Sequence, residues 1–452
     1  MYIPERFIRH IWKNLYLRLA DLKTADGKAV KILSPGRINS NEGADFLDAK
    51  LVIDGVEKSG NVEIHSQTSD WLRHHHSSNS RYADLVLHVV FEHDTELGNA
   101  IPVLELKPFL TDSLHSVVAD CIRDEAKLQN KPAIHCQPML DRVKDELKLA
   151  LLQRLSEERL VRKSQSFAEK LEGENYDDLI YGGLARALGY SENTKPMERV
   201  AARVSFNALR ESFSMLGFSE RRLKIESVLF ALSGLLVSDG DAVDNETMDY
   251  VERLKSGFNQ SAFVGHQPLD RREWVFFRLR PSNFPTLRLA GLAEVLSKNL
   301  ERGFLETTCQ IMEMGLPLKR RIVLLENLFI ADAEGYWQTH YLFGSAAKVP
   351  IKSLVGKNRA AEVVINTLLP VMLLYAHRGA DKKLEAKVLE FYDAYPKGLT
   401  SEVAKKTLEE LLGDGYSIRS AAFEQGLLEL KKNYCDAFRC LECEIGKEIF
   451  RK

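Results

Sequence analysis

A change of residue pattern near residue 110 constrains this chain more than any other feature of its sequence. Before it, short runs with the composition of β-strands are separated by turn dipeptides such as Asp54-Gly55. After it, most segments show the spacing of apolar residues by three and four that is typical of helices. The pattern predicts an α+β protein, in which an N-terminal mixed β-sheet flanked by helices precedes a large, mostly α-helical region.

Two further breaks in pattern lie inside the helical region. They are the loop around residues 239–245 and the proline-containing stretch 268–285. Because domain boundaries fall in such polar and proline-rich segments, we expect three domains, comprising residues 1–111, 112–270 and 271–452.

Charge and hydropathy exclude some classes of protein. The 62 Lys and Arg nearly balance the 64 Asp and Glu, which argues against a surface that binds nucleic acid everywhere but leaves a local basic patch open. The longest apolar run, residues 363–376, is interrupted by Asn366 and Pro370 and is too short for a membrane span. The first residues contain no apolar stretch of secretory type, so we expect a cytoplasmic protein without membrane association.

Two acids and a histidine are predicted to meet on one hairpin. Asp45 begins a strand, and Glu63 lies in the next strand, two residues before His65. Residues i and i+2 of a strand share a face, and a tight turn between the strands brings Asp45 back to that face. Two converging carboxylates repel each other unless a cation lies between them, and oxygen ligands suit Mg²⁺ or Mn²⁺. We expect His65 to orient or deprotonate a water molecule there, or to stabilise charge on a phosphate.

This arrangement resembles the core of the PD-(D/E)XK nucleases, a restriction-endonuclease-like fold of a helix, three antiparallel strands, a helix and a further strand. Over roughly residues 1–95, Asp45 matches the Asp of the motif and the tripeptide Glu63–His65 matches its Glu-x-Lys. Glu5 matches the acidic residue that the first helix often supplies. The resemblance implies metal-dependent hydrolysis of phosphodiester bonds in nucleic acid. Two departures are Ala44 in place of the motif's Pro and His65 in place of its Lys, whose ammonium is the stronger electrostatic stabiliser.

Alternatives to this interpretation stay open. Asp84 with Glu105-Leu106-Lys107 is a second placement of the same motif, for which a cross-strand ion pair is the simpler explanation. The first domain is alternatively a catalytically inactive scaffold that binds nucleic acid or a protein partner. An imidazole at position 65 that faces the carboxylates would favour an enzyme, and one that faces the core would favour the scaffold.

A cluster of histidines offers a different metal. Six of the 12 His lie between residues 65 and 93. His74 or His76 with His88 and a carboxylate would make a zinc site, and the chain would then be a zinc-dependent hydrolase. The alternative for His88, which lies inside the apolar strand DLVLHVV, is a buried histidine that is hydrogen-bonded for structural reasons.

A second candidate metal site lies near the C-terminus, where three cysteines have the spacing Cys-x4-Cys-x2-Cys: Cys435, Cys440 and Cys443. Thiolates suit zinc or an iron–sulfur cluster, and both usually take a fourth Cys. We expect Cys136, which lies in a proline-bounded loop, in preference to Cys309 or Cys121. Some PD-(D/E)XK nucleases carry an iron–sulfur site made of one upstream and three C-terminal cysteines; the layout here is similar, although the spacing differs.

Basic and aromatic residues alternate over residues 271–288, as in strips that stack bases and grip phosphates. If the helical region contacts nucleic acid, we expect Arg278, Arg280 and Arg288 to do so. The alternative is an aromatic core segment whose arginines extend to the surface.

Several segments also resemble an uncharacterised bacterial family that is known only as a domain of unknown function. They include GRINSNEGADFLDA, GNVEIHSQTSDWLRHHH, FRLRPSNFPTLRLA and YCDAFRCLECEIG, and are spread over the whole chain. This resemblance implies a bacterial cytoplasmic protein and brings no activity, so the functional argument rests on the residues.

Overall fold

The computed structural model of the chain describes residues 3–39, 43–73, 82, 84–97, 101–114, 116–121, 133–171, 175–236, 244–396 and 401–449. They belong to two compact units, the sheet unit (Met1–Lys131) and the helical unit (Pro132–Lys452). The predicted α+β class is confirmed: the sheet unit holds a mixed sheet and the helical unit is mostly α-helix. The division expected near residue 270 does not separate compact units, because one apolar core reaches from Leu160 to Ala422 across it.

The sheet unit is built on six strands. They are β1 (Val30–Ser34), β2 (Arg37–Ile38), β3 (Phe46–Ile53), β4 (Val56–Gln67), β5 (Leu85–Glu92) and β6 (Val103–Glu105). Helix α1 (Glu5–Asn14) precedes the sheet, and the short helix α2 (Asp70–Arg73) lies between β4 and β5. A 3₁₀ turn at Lys107–Phe109 follows the last strand.

The strands pair in the order β1-β3-β4-β5-β6, with β2 added to β3. Strands β1, β3 and β4 are antiparallel neighbours, whereas β4, β5 and β6 run parallel. The predicted hairpin turn joins β3 to β4, and both its residues, Asp54 (φ 51°) and Gly55 (φ 78°), have the positive φ that such tight turns require. The hairpin register sets Phe46 opposite Val62, so that the start of β3 lies beside the far half of β4.

Helix α1 covers the sheet with one apolar face. Phe7, Ile8, Ile11 and Trp12 recur with helical spacing and are buried in the core of the sheet unit. The helix begins after Pro4, whose fixed φ suits a helix start, and ends at Leu15 in the left-handed conformation. Burial of this face fixes the direction in which the remaining side chains of the helix point.

The helical unit contains sixteen described α-helical segments. They are α3 (Asp145–Ala168), α4 (Tyr176–Leu188), α5 (Thr194–Arg203), α6 (Phe206–Phe213), α7 (Phe218–Ser233), α8 (Asn245–Asn259), α9 (Pro285–Asn299), α10 (Phe304–Glu313), α11 (Leu318–Asn327), α12 (Tyr336–Thr339), α13 (Lys357–Val363), α14 (Leu369–Arg378), α15 (Lys382–Ala394), α16 (Glu402–Leu412), α17 (Ala421–Glu429) and α18 (Glu444–Ile449). π-Helical turns at Val364–Leu368 and Leu430–Cys435 extend α13 and α17. 3₁₀ turns occupy Gln137–Arg142, Arg271–Glu273 and Pro281–Asn283. Short strands are β7 (Ala331–Asp332), β8 (His340–Leu342), β9 (Ser345–Ala346) and β10 (Ser353–Val355).

One helical stretch among the described residues, Lys357–Arg378, is long and apolar enough to cross a membrane. However, 72% of its most apolar window is buried inside the protein. Val363, Leu368 and Met372 belong to the main core of the helical unit. A core helix passes the same test of length and composition, so this stretch alone carries no membrane assignment.

Candidate functional site

The structure brings Asp45 and Glu63 together at the hairpin of the sheet unit. The backbone amide of Asp45 donates to Glu63 Oε2 at 3.1 Å, and the backbone amide of Ile64 donates to Asp45 Oδ2 at 2.9 Å. Each carboxylate is therefore held by the backbone of the strand that carries the other. Both residues are buried, so this crossed pair of hydrogen bonds has little competition from water.

Helix α1 adds a third acid and a cation. Glu5 and Arg9 lie one helical turn apart, and Arg9 Nη2 is 3.7 Å from Glu5 Oε2. The same guanidinium forms an ion pair with Asp45 Oδ1. Arg9 Nε is buried, with no hydrogen-bond partner among the described residues. Sequence reasoning named Glu5 and missed Arg9; the signal would have been its position four residues after Glu5.

Burial and neighbouring negative charges raise the pKa of both acids. Burial first, and then the charge of Asp45, raises the pKa of Glu63 to about 9. Burial raises the pKa of Asp45 to about 6, against the lowering effect of Arg9 and with a further increase from Glu5. At neutral pH without a cation, Glu63 therefore keeps its proton. The site holds more acid than its single guanidinium neutralises.

His65 faces the carboxylates and a second histidine at the same time. It is 1% exposed; its Nε2 lies 3.6 Å from Glu63 Oε1 and its Nδ1 lies 2.9 Å from His88 Nε2. The two rings meet edge to face, with centroids 5.1 Å apart. Trp71 of α2 packs against the ring of His88. A distance of 2.9 Å between ring nitrogens is that of a hydrogen bond, so His88 holds the orientation of His65.

The donors fit a hard divalent cation by type. Three carboxylates face one guanidinium, and oxygen is the ligand that Mg²⁺ and Mn²⁺ prefer. In the part of the chain that the structure describes, however, no three His, Cys, Asp or Glu side chains are close enough to hold a metal ion. The guanidinium of Arg9 lies against Asp45, where a cation would otherwise bind. A cation would therefore have to displace Arg9 from this carboxylate.

The sequence allows two alternative sites in the sheet unit: the second position of the nuclease motif and the histidine zinc site. Lys107 Nζ binds Glu92 Oε1 at 2.8 Å on the surface, while Glu105 pairs with Val90 in the parallel ladder. Lys107 thus forms an exposed ion pair, but its partner is Glu92 and not a residue of the motif. For the histidine zinc site, His74 and His76 lie outside the described residues, and His88 is engaged with His65.

A basic groove, which sequence reasoning missed, lies in the helical unit. Its volume is about 1590 Å³, and nine Lys and Arg but four Asp and Glu line it. Lys163 on α3 donates to Gln425 Oε1 at 3.2 Å and also to Asn366 Oδ1. Enclosure, and then the charges of Arg159 and Arg162, hold the pKa of Lys163 well below its usual value. Excess positive charge around an enclosed amine is the pattern of an anion-binding site.

Part of this charge is balanced inside the protein. Glu429 on α17 is buried and pairs with Arg159 at 3.1 Å and with Arg162 at 2.6 Å. Two other lining residues contact each other: the guanidinium of Arg359 lies 3.6 Å from the ring centroid of Tyr190. Helices α3 and α17 are thus joined by ion pairs as well as by apolar contact, and one side of this pair forms a wall of the groove.

The three arginines predicted to bind nucleic acid lie in different environments. Arg288 is buried, and its guanidinium donates to the carbonyls of Leu354 and Ser282 and to Asn283 Oδ1. These bonds tie α9 to its surroundings, so the guanidinium of Arg288 serves the fold. Arg278 and Arg280 are exposed, and Arg278 lies over the ring of its neighbour Phe277.

The four cysteines predicted as ligands line one small cavity of the helical unit, and we call them the four-cysteine cluster: Cys136, Cys435, Cys440 and Cys443. The cavity has a volume of about 20 Å³. Burial, and then the neighbouring cysteines, raise the pKa of Cys136 to about 11 and that of Cys435 to about 12. Cys309 and Cys121, the other candidates for the fourth ligand, do not line this cavity.

Comparison with known proteins identifies a family to which no activity is assigned. A family model described as "Protein of unknown function (DUF2851)" matches residues 5–399, which include the acidic site, Lys163 and Cys136. The three C-terminal cysteines lie outside the matched range. No curated protein and no solved structure matches the chain.

Proposed function

We propose that this chain, which belongs to the DUF2851 family, is a divalent-cation-dependent phosphodiesterase that acts on nucleic acid. The observation that carries the proposal is the buried pair Asp45 and Glu63, in which each carboxylate accepts a hydrogen bond from the other residue's strand. Such a pair is costly for a protein to bury without a compensating charge. A cation would compensate it.

The charges near the hairpin support a divalent ion. Glu5, Asp45 and Glu63 carry three negative charges when ionised, and Arg9 carries one positive charge, which leaves an excess of two. The cation would be held by Asp45 and Glu63, with Glu5 as a further ligand. When bound, Mg²⁺ or Mn²⁺ would polarise a phosphodiester and lower the pKa of an attacking water.

The order of elements also supports a nuclease-like core. From α1 to β5 the elements are a helix, the antiparallel strands β1, β3 and β4 with the two-residue strand β2 added to β3, a short helix and the parallel strand β5. This is the order that the resemblance to PD-(D/E)XK nucleases implied. In the proposed core, Asp45 precedes β3 and Glu63 lies in β4, which are the places of the two motif acids.

The remaining residues would complete the chemistry as follows. Water attacks phosphorus and gives up a proton to solvent, the ester P–O bond breaks, and the leaving oxygen takes a proton from solvent. Arg9, released from Asp45, would bind a phosphate oxygen and stabilise the charge that develops there. His65 is too enclosed to meet the substrate, so we assign it the positioning of Glu63, with His88 holding its ring.

The basic groove of the helical unit supports nucleic acid as the class of substrate. Its excess of positive side chains would contact phosphates, and the half-buried aromatic ring of Tyr190 lies among them, beside Arg359. Phosphate near Lys163 would relieve the repulsion from Arg159 and Arg162 that lowers the pKa of its amine. We infer that this groove, rather than Arg288, contacts nucleic acid.

The second candidate is a catalytically inactive scaffold that binds nucleic acid. One observation favours it: the ion pair between Arg9 and Asp45 and the retained proton of Glu63 neutralise much of the site without a cation. The two candidates differ in whether Mn²⁺ binds and whether cleavage follows.

Cleavage of labelled single- and double-stranded DNA and RNA in Mn²⁺ tests the proposal. Glu63→Gln should abolish cleavage and keep the fold, because glutamine resembles the protonated acid that Glu63 is at neutral pH. The matched control is Asp48→Asn on β3, an exposed acid paired with Arg37, which should leave the rate unchanged. Equal rates for wild type and Glu63→Gln, or no cleavage by wild type, would remove the enzyme and leave the scaffold.

A further inference from the structure

The four-cysteine cluster joins segments that lie far apart in the sequence. Cys136 immediately precedes the 3₁₀ turn Gln137–Arg142, whereas Cys435 ends the π-helical turn after α17. Cys440 and Cys443 follow within one tight connection before α18. The structure contains all four as free thiols. Chance would not often bring four of six cysteines to one cavity.

The surroundings of the cavity are apolar. Ile134, Leu430 and Ile445 line it together with the cysteines and belong to a separate apolar core of the helical unit. A cavity of about 20 Å³ has room for one atom or ion of the size of a water molecule, which needs about 10–15 Å³. Among the described residues that line this cavity, the side chains able to bind a metal are the four cysteines and His135.

The backbone that follows Cys443 contacts its sulfur. Burial raises the pKa of the Cys443 thiol, and hydrogen bonds from the amides of Gly446 and Ile445 to the sulfur oppose this increase. Gly446 is required there, because a Cβ at this position would lie 1.9 Å from the carbonyl oxygen of Cys440. The connection therefore packs too tightly for any other residue and sets both of its cysteines toward the cavity.

Contacts outside the cavity hold the two segments in place. The ring of His135 stacks on Phe438, with centroids 4.5 Å apart and an angle of 13°. The amide of Ile134 donates to Glu410 Oε2 at 2.9 Å, which fixes the loop of Cys136 to α16.

We propose that the four-cysteine cluster binds a thiolate-ligated metal centre, zinc or an iron–sulfur cluster, that closes the end of the helical unit onto its beginning. Four thiolates are the ligand set that both centres share. In the described residues the side chains are not yet close enough to hold an ion, which is expected of neutral, buried thiols without a metal. Loading would release thiol protons and draw the sulfurs inward. The centre is structural and independent of the proposed reaction.

Metal analysis of the full chain, purified anaerobically from cells supplied with both zinc and iron, tests the proposal. Stoichiometric zinc would identify the centre as a zinc site, and iron with acid-labile sulfide would identify it as an iron–sulfur cluster. Cys435→Ser and Cys443→Ser should each lose roughly tenfold or more of the metal. The matched control, Cys309→Ser, changes a half-buried cysteine of the same unit outside the cavity and should retain the full content.

A second measurement keeps the test decisive if the serine variants do not fold. Wild-type protein is stripped with a chelator, checked for retained helix content, and titrated with Co²⁺, whose thiolate complexes absorb strongly. Saturable absorption, prevented by prior Zn²⁺, supports the proposal. Only traces of metal in wild type together with no Co²⁺ uptake, or equal metal in wild type and Cys443→Ser, would overturn it.

Discussion

The guanidinium of Arg9 forms an ion pair with the carboxylate of Asp45, at the position where the proposed cation would bind. If the proposed function holds, Arg9 competes with the metal when substrate is absent and binds phosphate when substrate is present. The two roles can be separated by experiment, because they change binding and catalysis in opposite directions.

Arg9→Gln is expected to strengthen Mn²⁺ binding and weaken cleavage. A positive charge beside a carboxylate lowers the pKa of that carboxylate by on the order of one unit or more, because the two charges attract each other. When this charge is removed, a bound cation can supply the same attraction, so the affinity for Mn²⁺ should rise about tenfold. Loss of a phosphate-binding donor should lower the cleavage rate by about a hundredfold. Calorimetry and single-turnover cleavage measure the two effects. The control is Arg6→Gln, which changes an exposed arginine of the same helix. A fall in both the Mn²⁺ affinity and the cleavage rate of Arg9→Gln would contradict the two proposed roles of Arg9.

His88→Leu is expected to disturb His65 without touching the substrate. Removal of the bond between His88 Nε2 and His65 Nδ1 frees the imidazole beside Glu63. Loss of such a supporting partner typically costs roughly 10–100-fold in activity, which should appear in kcat while KM stays constant. His88→Gln, whose amide reaches a similar position, should recover most of the rate. No difference between the two variants would mean that His88 serves packing alone.

Lys163→Met is expected to weaken nucleic-acid binding in a salt-dependent manner. Each lost phosphate contact lowers the slope of log affinity against log salt by about one. Fluorescence anisotropy with a labelled oligonucleotide over a series of salt concentrations measures this slope. Lys195→Met, at an exposed position of the groove, should act in the same direction, and Lys319→Met, outside the groove, should have no effect. Unchanged slopes for both groove variants would place nucleic acid elsewhere.

Glu226→Gln is expected to flatten the pH dependence of stability of the helical unit. Burial raises the pKa of Glu226 from 4.5 to about 7, although Tyr250 donates a hydrogen bond to its carboxylate at 2.8 Å. The folded state holds this proton more tightly than the unfolded state, so stability is greatest below pH 4.5 for this group and falls as the pH rises to about 7. The fall should be on the order of 3 kcal/mol. Urea unfolding at about pH 5 and about pH 8, followed by tryptophan fluorescence, measures this fall in stability. Trp337 reports on the site because its indole N–H donates to Tyr250. The same change in stability with pH in wild type and variant would contradict the assignment.

The sequence predicted the parts of the site that depend on local geometry. The turn Asp54-Gly55 predicts the hairpin that brings Asp45 near Glu63. The exact register also depends on a β-bulge between Phe46 and Ala49, which shifts the pairing by one residue and which the sequence did not predict. Cys136 was preferred over Cys309 and Cys121 because loops place ligands more freely than helix interiors do, and it lines the cavity with the other three. In both cases a short segment carries the information.

The parts that the sequence did not predict depend on long-range packing. In the sequence, Arg9 looks like any arginine on the surface of a helix. Only the packing of α1 against the sheet brings it to Asp45. The groove gathers Lys163, Arg186 and Arg359 from three helices, and each resembles a solvated surface residue when taken alone. Conversely, the strip at residues 271–288 looks basic and exposed, yet the guanidinium of Arg288 turns inward to backbone carbonyls.

The pairing of α3 with α17 has a consequence for the synthesis of this protein. Arg159 and Gln425, which are bonded across the two helices, are separated by 266 residues. At roughly 5–20 residues per second, a ribosome needs tens of seconds to supply the second helix after the first has emerged. Throughout that interval the part of α3 that packs against α17 has no native cover, so we expect the nascent chain to be a substrate for chaperones. A polypeptide interrupted before residue 421 would keep that part open to proteases.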